Sequence, residues 1–209
     1  MSTAHLTRHL PLPIQYALAA RNGKLNNVKR LLAQGVNVNT RHDPDQTALA
    51  LAAGSGHNHV VKHLINKGAT VNSRDYLGMT PLMRAAVHGH DRVVRTLLNA
   101  GANINAQSTG GFSAIMYAAR WNHPLVVRLL IERKARVNFT NNRGRQAANL
   151  ATTNNMRRLL AERKAHVNAA GRTIAKYYTA STIRRKAASI AAMRKRFPNN
   201  IVRRMSSLR

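Results

Sequence analysis

The 209-residue chain has no cysteine, six acidic residues and one tryptophan. Each scarcity excludes something. Without thiols there are no disulfides and no thiolate metal sites, although this does not fix a compartment. Six Asp+Glu against 34 Lys+Arg leave a formal charge of +28. Such a chain repels itself when compact and favours any polyanionic partner. No apolar run approaches the ~18–20 residues needed to cross a bilayer, so membrane insertion is not expected. The start, MSTAHLTRHLPLP, lacks both acids and an apolar core. A secretory signal is therefore not expected, while a short organellar presequence stays open. The hydrophobic fraction is nevertheless 44%, enough to build a core.

What the sequence does have is a period. Residues 132–138 read ERKARVN and residues 162–168 read ERKAHVN. Asn39, Asn72, Asn105 and Asn138 lie 33 residues apart and Asn168 follows after 30, each preceded by Val or Ile. A fixed period of this length marks a repeat array. IQYALAA (14–20), TALALAA (47–53), TPLMRAA (80–86), SAIMYAA (113–119) and QAANLAT (146–152) fall in register. So do Gly23-Lys24, Gly56-His57, Gly89-His90 and Asn122-His123.

Each unit predicts a pair of helices. Thr47, Thr80 and Ser113 sit where a hydroxyl caps the first helix, and Pro81 suits its first position. Val-Val-x-x-Leu-Leu gives the second helix an apolar stripe. Gly35, Gly68 and Gly101 then end it in the left-handed conformation.

These residues resemble the ankyrin repeat, whose pattern runs T-P-L-H-x-A-A, then G-H, then V-V-x-L-L, then G-A-D-V-N. TPLMRAAVHGHDRVVRTLLNAGANIN (80–105) is nearly a consensus unit. The resemblance implies an all-α solenoid of stacked helix-turn-helix units with loop fingers and a concave face lined by first helices. Such units bury their core only against neighbours. The expected organisation is an N-terminal arm (1–13), repeats at 14–46, 47–79, 80–112 and 113–145, a shortened fifth at 146–168, and a basic, helical C-terminal tail at 169–209.

The departures from the family pattern are informative. The usual Asp of G-A-D-V-N is Asn37, Thr70, Asn103 and Arg136, and no acid follows Glu162. Lys134 and Lys164 occupy the column where glycine ends the second helix. One reading is repeat drift, with cations complementing a helix C-terminus. The other is that repeats four and five place charge near the tail, through Arg133, Lys134, Arg163 and Lys164.

Lys29, Lys62, Arg95, Arg128 and Arg158 share one column on the second helix, giving either a solvated face or a cation ladder able to track phosphates. Arg84, His88, Tyr117, Arg120 and Trp121 fall at first-helix positions expected to face the concave side. Trp, Tyr and Arg are the residue types enriched at binding hot spots, so these five are the expected protein-binding residues; packing of Trp121 against the next repeat is the alternative. Loop tips such as TRHDPDQ (40–46) and SRDYLGM (73–79) are usable but unspecific. His57, His59 and His63 lack a nearby carboxylate or thiolate, so no metal site is expected. No catalytic constellation or phosphate loop stands out, so neither an enzyme, a cofactor nor a small-molecule substrate is expected.

The tail holds eleven cations and no acid. Ser181 or Thr182 suits the start of a helix ending before Pro198. At 100° per residue, Arg184, Arg185, Lys186, Arg194, Lys195 and Arg196 point nearly all round it, whereas a membrane-surface helix segregates its charges. With Arg203 and Arg204, they form the expected polyanion-binding segment. The first expectation is a scaffold in a nucleic-acid-rich assembly, a ribonucleoprotein particle or a virion. The second is a free adaptor or secreted effector whose tail only localises it.

Overall fold

None of these helices is long enough to be stable alone in water, and the architecture follows from that. A computed structural model describes residues 10–42 and 45–161. First helices α1 (Leu12–Arg21), α3 (Ala48–Gly54), α5 (Pro81–Val87), α7 (Ala114–Arg120) and α9 (Ala147–Leu150) alternate with second helices α2 (Leu25–Ala33), α4 (Asn58–Asn66), α6 (Asp91–Asn99) and α8 (Pro124–Glu132). A further second helix, α10, begins at residue 154 and continues to 161, where the description ends. One two-stranded antiparallel finger, β1 (Arg41–His42) with β2 (Gln46–Thr47), pairs Arg41 with Thr47. The all-α solenoid is what the sequence implied.

Each first helix packs on the first helices before and after it, and α2, α4, α6 and α8 do likewise in a second row. Small residues permit the close approach: Ala20, Ala52, Ala53, Ala85, Ala86, Ala118 and Ala119 are completely buried. The Val-Val columns are buried as well. In the last unit Met156 takes the valine's place and is buried, although α9 is only four residues long.

The recurring Val-Asn has its explanation here. Asn39 Oδ1 accepts from the Thr70 N–H at 2.8 Å, Asn72 Oδ1 from the Asn103 N–H at 2.8 Å, and Asn105 Oδ1 from the Arg136 N–H at 2.9 Å. Asn39 and Asn72 also donate through Nδ2 to the carbonyls of Gly68 and Gly101. Each asparagine thus clamps the turn that follows the next second helix. Asn37 and Asn103, where the ankyrin pattern has Asp, still accept from the N–H two residues on. The local turn is kept and the negative charge is not.

A second ladder joins histidines to the preceding unit. His90 Nε2 lies 3.0 Å from the Gly54 carbonyl oxygen and His123 Nε2 2.8 Å from that of Val87. Gly89 makes room for this: at φ +75°, a Cβ there would meet the His123 ring at 2.4 Å. The fingers interlock similarly, through Arg41 Nη1 to the Arg74 carbonyl (2.8 Å), Arg74 Nη2 to that of Gln107, and Gln107 Nε2 to that of Thr140 (3.1 Å).

Thr47 and Thr80 cap α3 and α5 through the N–H groups of Ala50 and Met83. Ser113 corrects the expectation. It holds the capping position of α7 but makes no cap bond, and its Oγ is buried without a partner. Lys134 adopts the expected left-handed turn at φ +64°. Lys164 and the tail helix expected before Pro198 lie outside the described residues.

Two outcomes are expected in urea unfolding. Lys134→Gly stabilises by about 1 kcal/mol, relieving the left-handed cost of an L-residue. Asn72→Ala destabilises by about 1–2 kcal/mol, because the Asn103 N–H and Gly101 carbonyl lose their partner.

Candidate interaction surface

The first helices of successive units line a groove of about 410 Å³, bounded by Leu18 and Arg21 of α1, Leu51 of α3, His42 of the finger, and Arg84 and His88 of α5 and its end. Short alanine-rich helices create it. Their small side chains keep adjacent helices close, and the longer residues between the alanines project outward.

Of the five residues expected on this face, Arg84 and His88 line the groove, but Arg84 is not free to meet a partner. Its Nε donates to Asp75 Oδ2 at 2.9 Å, and its Nη2 donates to the same oxygen. The other Asp75 oxygen accepts from the N–H groups of Leu77 and Met79. The Asp75 side chain is 1% exposed, so this carboxylate is buried and saturated by a finger and a helix together.

The next unit repeats the contact without charge. Tyr117, 33 residues after Arg84, donates its hydroxyl to Ser108, 33 residues after Asp75. In the last unit Leu150 stands in that column, and Asn141 Nδ2 is buried without a partner. Arg84 and Tyr117 were read as partner-binding positions because the sequence does not reveal which finger residue they hold.

Tyr117 also stacks on Phe112, with ring centroids 5.2 Å apart. The Arg120 guanidinium lies 5.9 Å from the Phe112 centroid and 6.0 Å from that of Trp121. These four residues form an aromatic–arginine ridge whose polarised rings suit cation–π contact. Trp121 is 56% exposed, so packing against the next repeat does not hide it. Phe112 was not anticipated; its signal was its place at the end of a finger beside Tyr117.

The five cations of the second-helix column, Lys29, Lys62, Arg95, Arg128 and Arg158, are all exposed. Arg133 is exposed and donates to Asn99 at 2.9 Å, and Lys134 is exposed at its turn. Arg163, Lys164, Arg184, Arg185, Lys186, Arg194, Lys195, Arg196, Arg203 and Arg204 lie outside the described residues. Only two ion pairs, Arg41–Asp45 and Arg84–Asp75, form among the described residues. The three histidines of the second unit are separated in role: His57 packs on Gly23, His59 Nε2 lies 3.1 Å from the Gly23 carbonyl oxygen, and His63 faces another groove.

Burial, and then the neighbouring His90, Arg84 and His123 side chains, hold the His88 pKa below the ordinary histidine value. The folded state therefore favours neutral His88. Its contribution to stability is complete above pH ~6.5 and is lost as pH falls from there toward the depressed folded value.

The chain is accordingly expected to lose stability as pH falls below ~6.5, and His88→Gln to flatten that loss in urea unfolding at each pH. Arg84→Met, which strands the buried Asp75 carboxylate, is expected to destabilise by about 3 kcal/mol. The Asp75→Asn/Arg84→Met pair should recover part of that loss.

A model for ankyrin repeats (3 copies) matches residues 17–108 and 103–171. No curated protein matches the chain.

Proposed function

We propose that this chain, which belongs to the ankyrin-repeat family, is a scaffold that holds a neighbouring protein inside a nucleic-acid-rich assembly. Ankyrin repeats are protein-interaction modules and generally not enzymes. No helix among the described residues is long and apolar enough to cross a membrane. Beyond that, the reading has two parts: the groove and the Trp121 ridge engage protein, and the basic surface and tail engage a polyanion such as a ribonucleoprotein or virion supplies.

One observation carries the second part. The described residues include twenty Lys and Arg against four acids, and only two ion pairs form among them. A cationic surface of this extent raises the local concentration of any phosphate polymer and gains free energy by releasing its counterions. The end of repeat five (Arg163, Lys164) and the tail carry nearly all of the remaining positive charge, and no acid occurs after Glu162. The domain division set out from the sequence belongs to this proposal too: repeats at 14–168 hold the protein partner and residues 169–209 anchor.

The protein-binding part rests on Trp121. A large indole left 56% exposed beside Arg120 has the composition of a hot spot and contributes little to the core.

The test is a salt series of RNA and DNA binding. It compares the full chain with a full-length variant carrying Gln at Arg184, Arg185, Lys186, Arg194, Lys195 and Arg196. For single strands, losing six phosphate contacts flattens the slope of log K against log salt by about 4. Equal slopes remove tail anchoring and leave the free-adaptor reading. Trp121→Ala is expected to leave unfolding unchanged within about 0.5 kcal/mol and to weaken capture of the protein partner.

A further inference from the structure

On the second-helix side, away from the groove of the first helices, lies a separate depression of about 520 Å³ between α2 and α4. Its floor is aliphatic: Leu32, Ala33, Val36 and Val38. Its polar lining is Lys29, Lys67 and His63. His63 Nε2 is buried with no hydrogen-bond partner. Buried polar atoms are nearly always satisfied, so an orphan invites an explanation.

The repeat supplies its own comparison. At the next unit's equivalent of His63, Thr96 donates to Asn58 Oδ1 at 2.7 Å. One unit further, Leu129 is buried and apolar. The Lys67 column continues as Ala100 and then Arg133, which is bonded to Asn99. Among the described residues, only the α2–α4 depression combines an unsatisfied imidazole, two lysines and an aliphatic floor.

We infer that this depression binds an acidic, aliphatic peptide segment of a protein partner: one carboxylate meets His63, Lys29 and Lys67, while neighbouring aliphatic side chains cover Leu32, Val36 and Val38. A carboxylate supplies the acceptor that an imidazole N–H lacks. Lys29 on α2 and Lys67 at the end of α4 provide the compensating charge, and no acid of the described residues lines the depression. A volume of this size admits several side chains, which a free carboxylate alone would leave empty. Burial first, and then Lys29 and Lys67, keep the His63 pKa below its ordinary value in the free protein. A bound carboxylate opposes those effects, so binding takes up a proton and strengthens as pH falls.

The test uses the full chain and a blocked peptide of alternating Glu and Leu, with the Gln–Leu peptide and a Glu–Gly peptide as controls, in titration calorimetry at moderate salt. Because +28 attracts any anion, the decisive variants are local. His63→Leu borrows the residue that the array itself uses at Leu129, which guards the fold. Lys29→Gln/Lys67→Gln removes the local charge. The Glu–Leu peptide is expected to bind at least about tenfold more tightly than either control and to lose about tenfold in each variant. Its affinity should rise from pH 7.5 to 6 in the wild type but not in His63→Leu. Equal affinity for Glu–Leu and Glu–Gly, or variants that bind like wild type, would overturn the inference and leave diffuse attraction to the basic surface.

Discussion

The structure depends on a hydrogen bond made between units. Helices of four to ten residues have no independent stability, and apolar packing alone does not fix the vertical register of one unit on the next. The Asn39, Asn72 and Asn105 amides do, each reaching the backbone of the following unit. Histidine rings do the same near the start of the second helices. All of these bonds are directional, and none uses a carboxylate. The array can therefore stack without relying on ion pairs, and its surface is free to become extremely basic.

That freedom explains the near-absence of acids better than any single contact. Where the ankyrin pattern places Asp, Asn37 and Asn103 keep the turn bond and discard the charge. Asp75, the one buried carboxylate among the described residues, is held by two N–H groups and Arg84. It joins a finger to a helix and leaves the surface charge unchanged. Tyr117 and Ser108 make the equivalent contact without ions. The excess charge therefore lies on the surface, where a polyanionic partner can reach it.

Most of the fold was legible in the sequence, because a column repeated at 33 residues records the same local geometry several times. The left-handed glycines, the threonine caps and even the strained Lys134 follow from column membership. The surface was less legible. Arg84 and Tyr117 occupy outward-facing positions, but whether such a residue waits for a partner or grips its own finger depends on Asp75 and Ser108, nine residues earlier. Ser113 has the right residue at the right place for a cap and does not make one. His63 belongs to a column without a fixed chemistry (Thr96 and Leu129 follow it), and only the packing of α2 against α4 reveals its unsatisfied nitrogen. The tail's role rests on charge alone, since its residues lie outside the described structure.

The central claim is that this basic surface is built to be neutralised by a polyanion. The most direct measurement is thermal unfolding of the full chain with and without generic single-stranded RNA, at about 20 mM and about 500 mM salt. The account predicts that RNA raises Tm strongly at low salt and that the effect disappears at high salt. A Tm indifferent to RNA at low salt would contradict it.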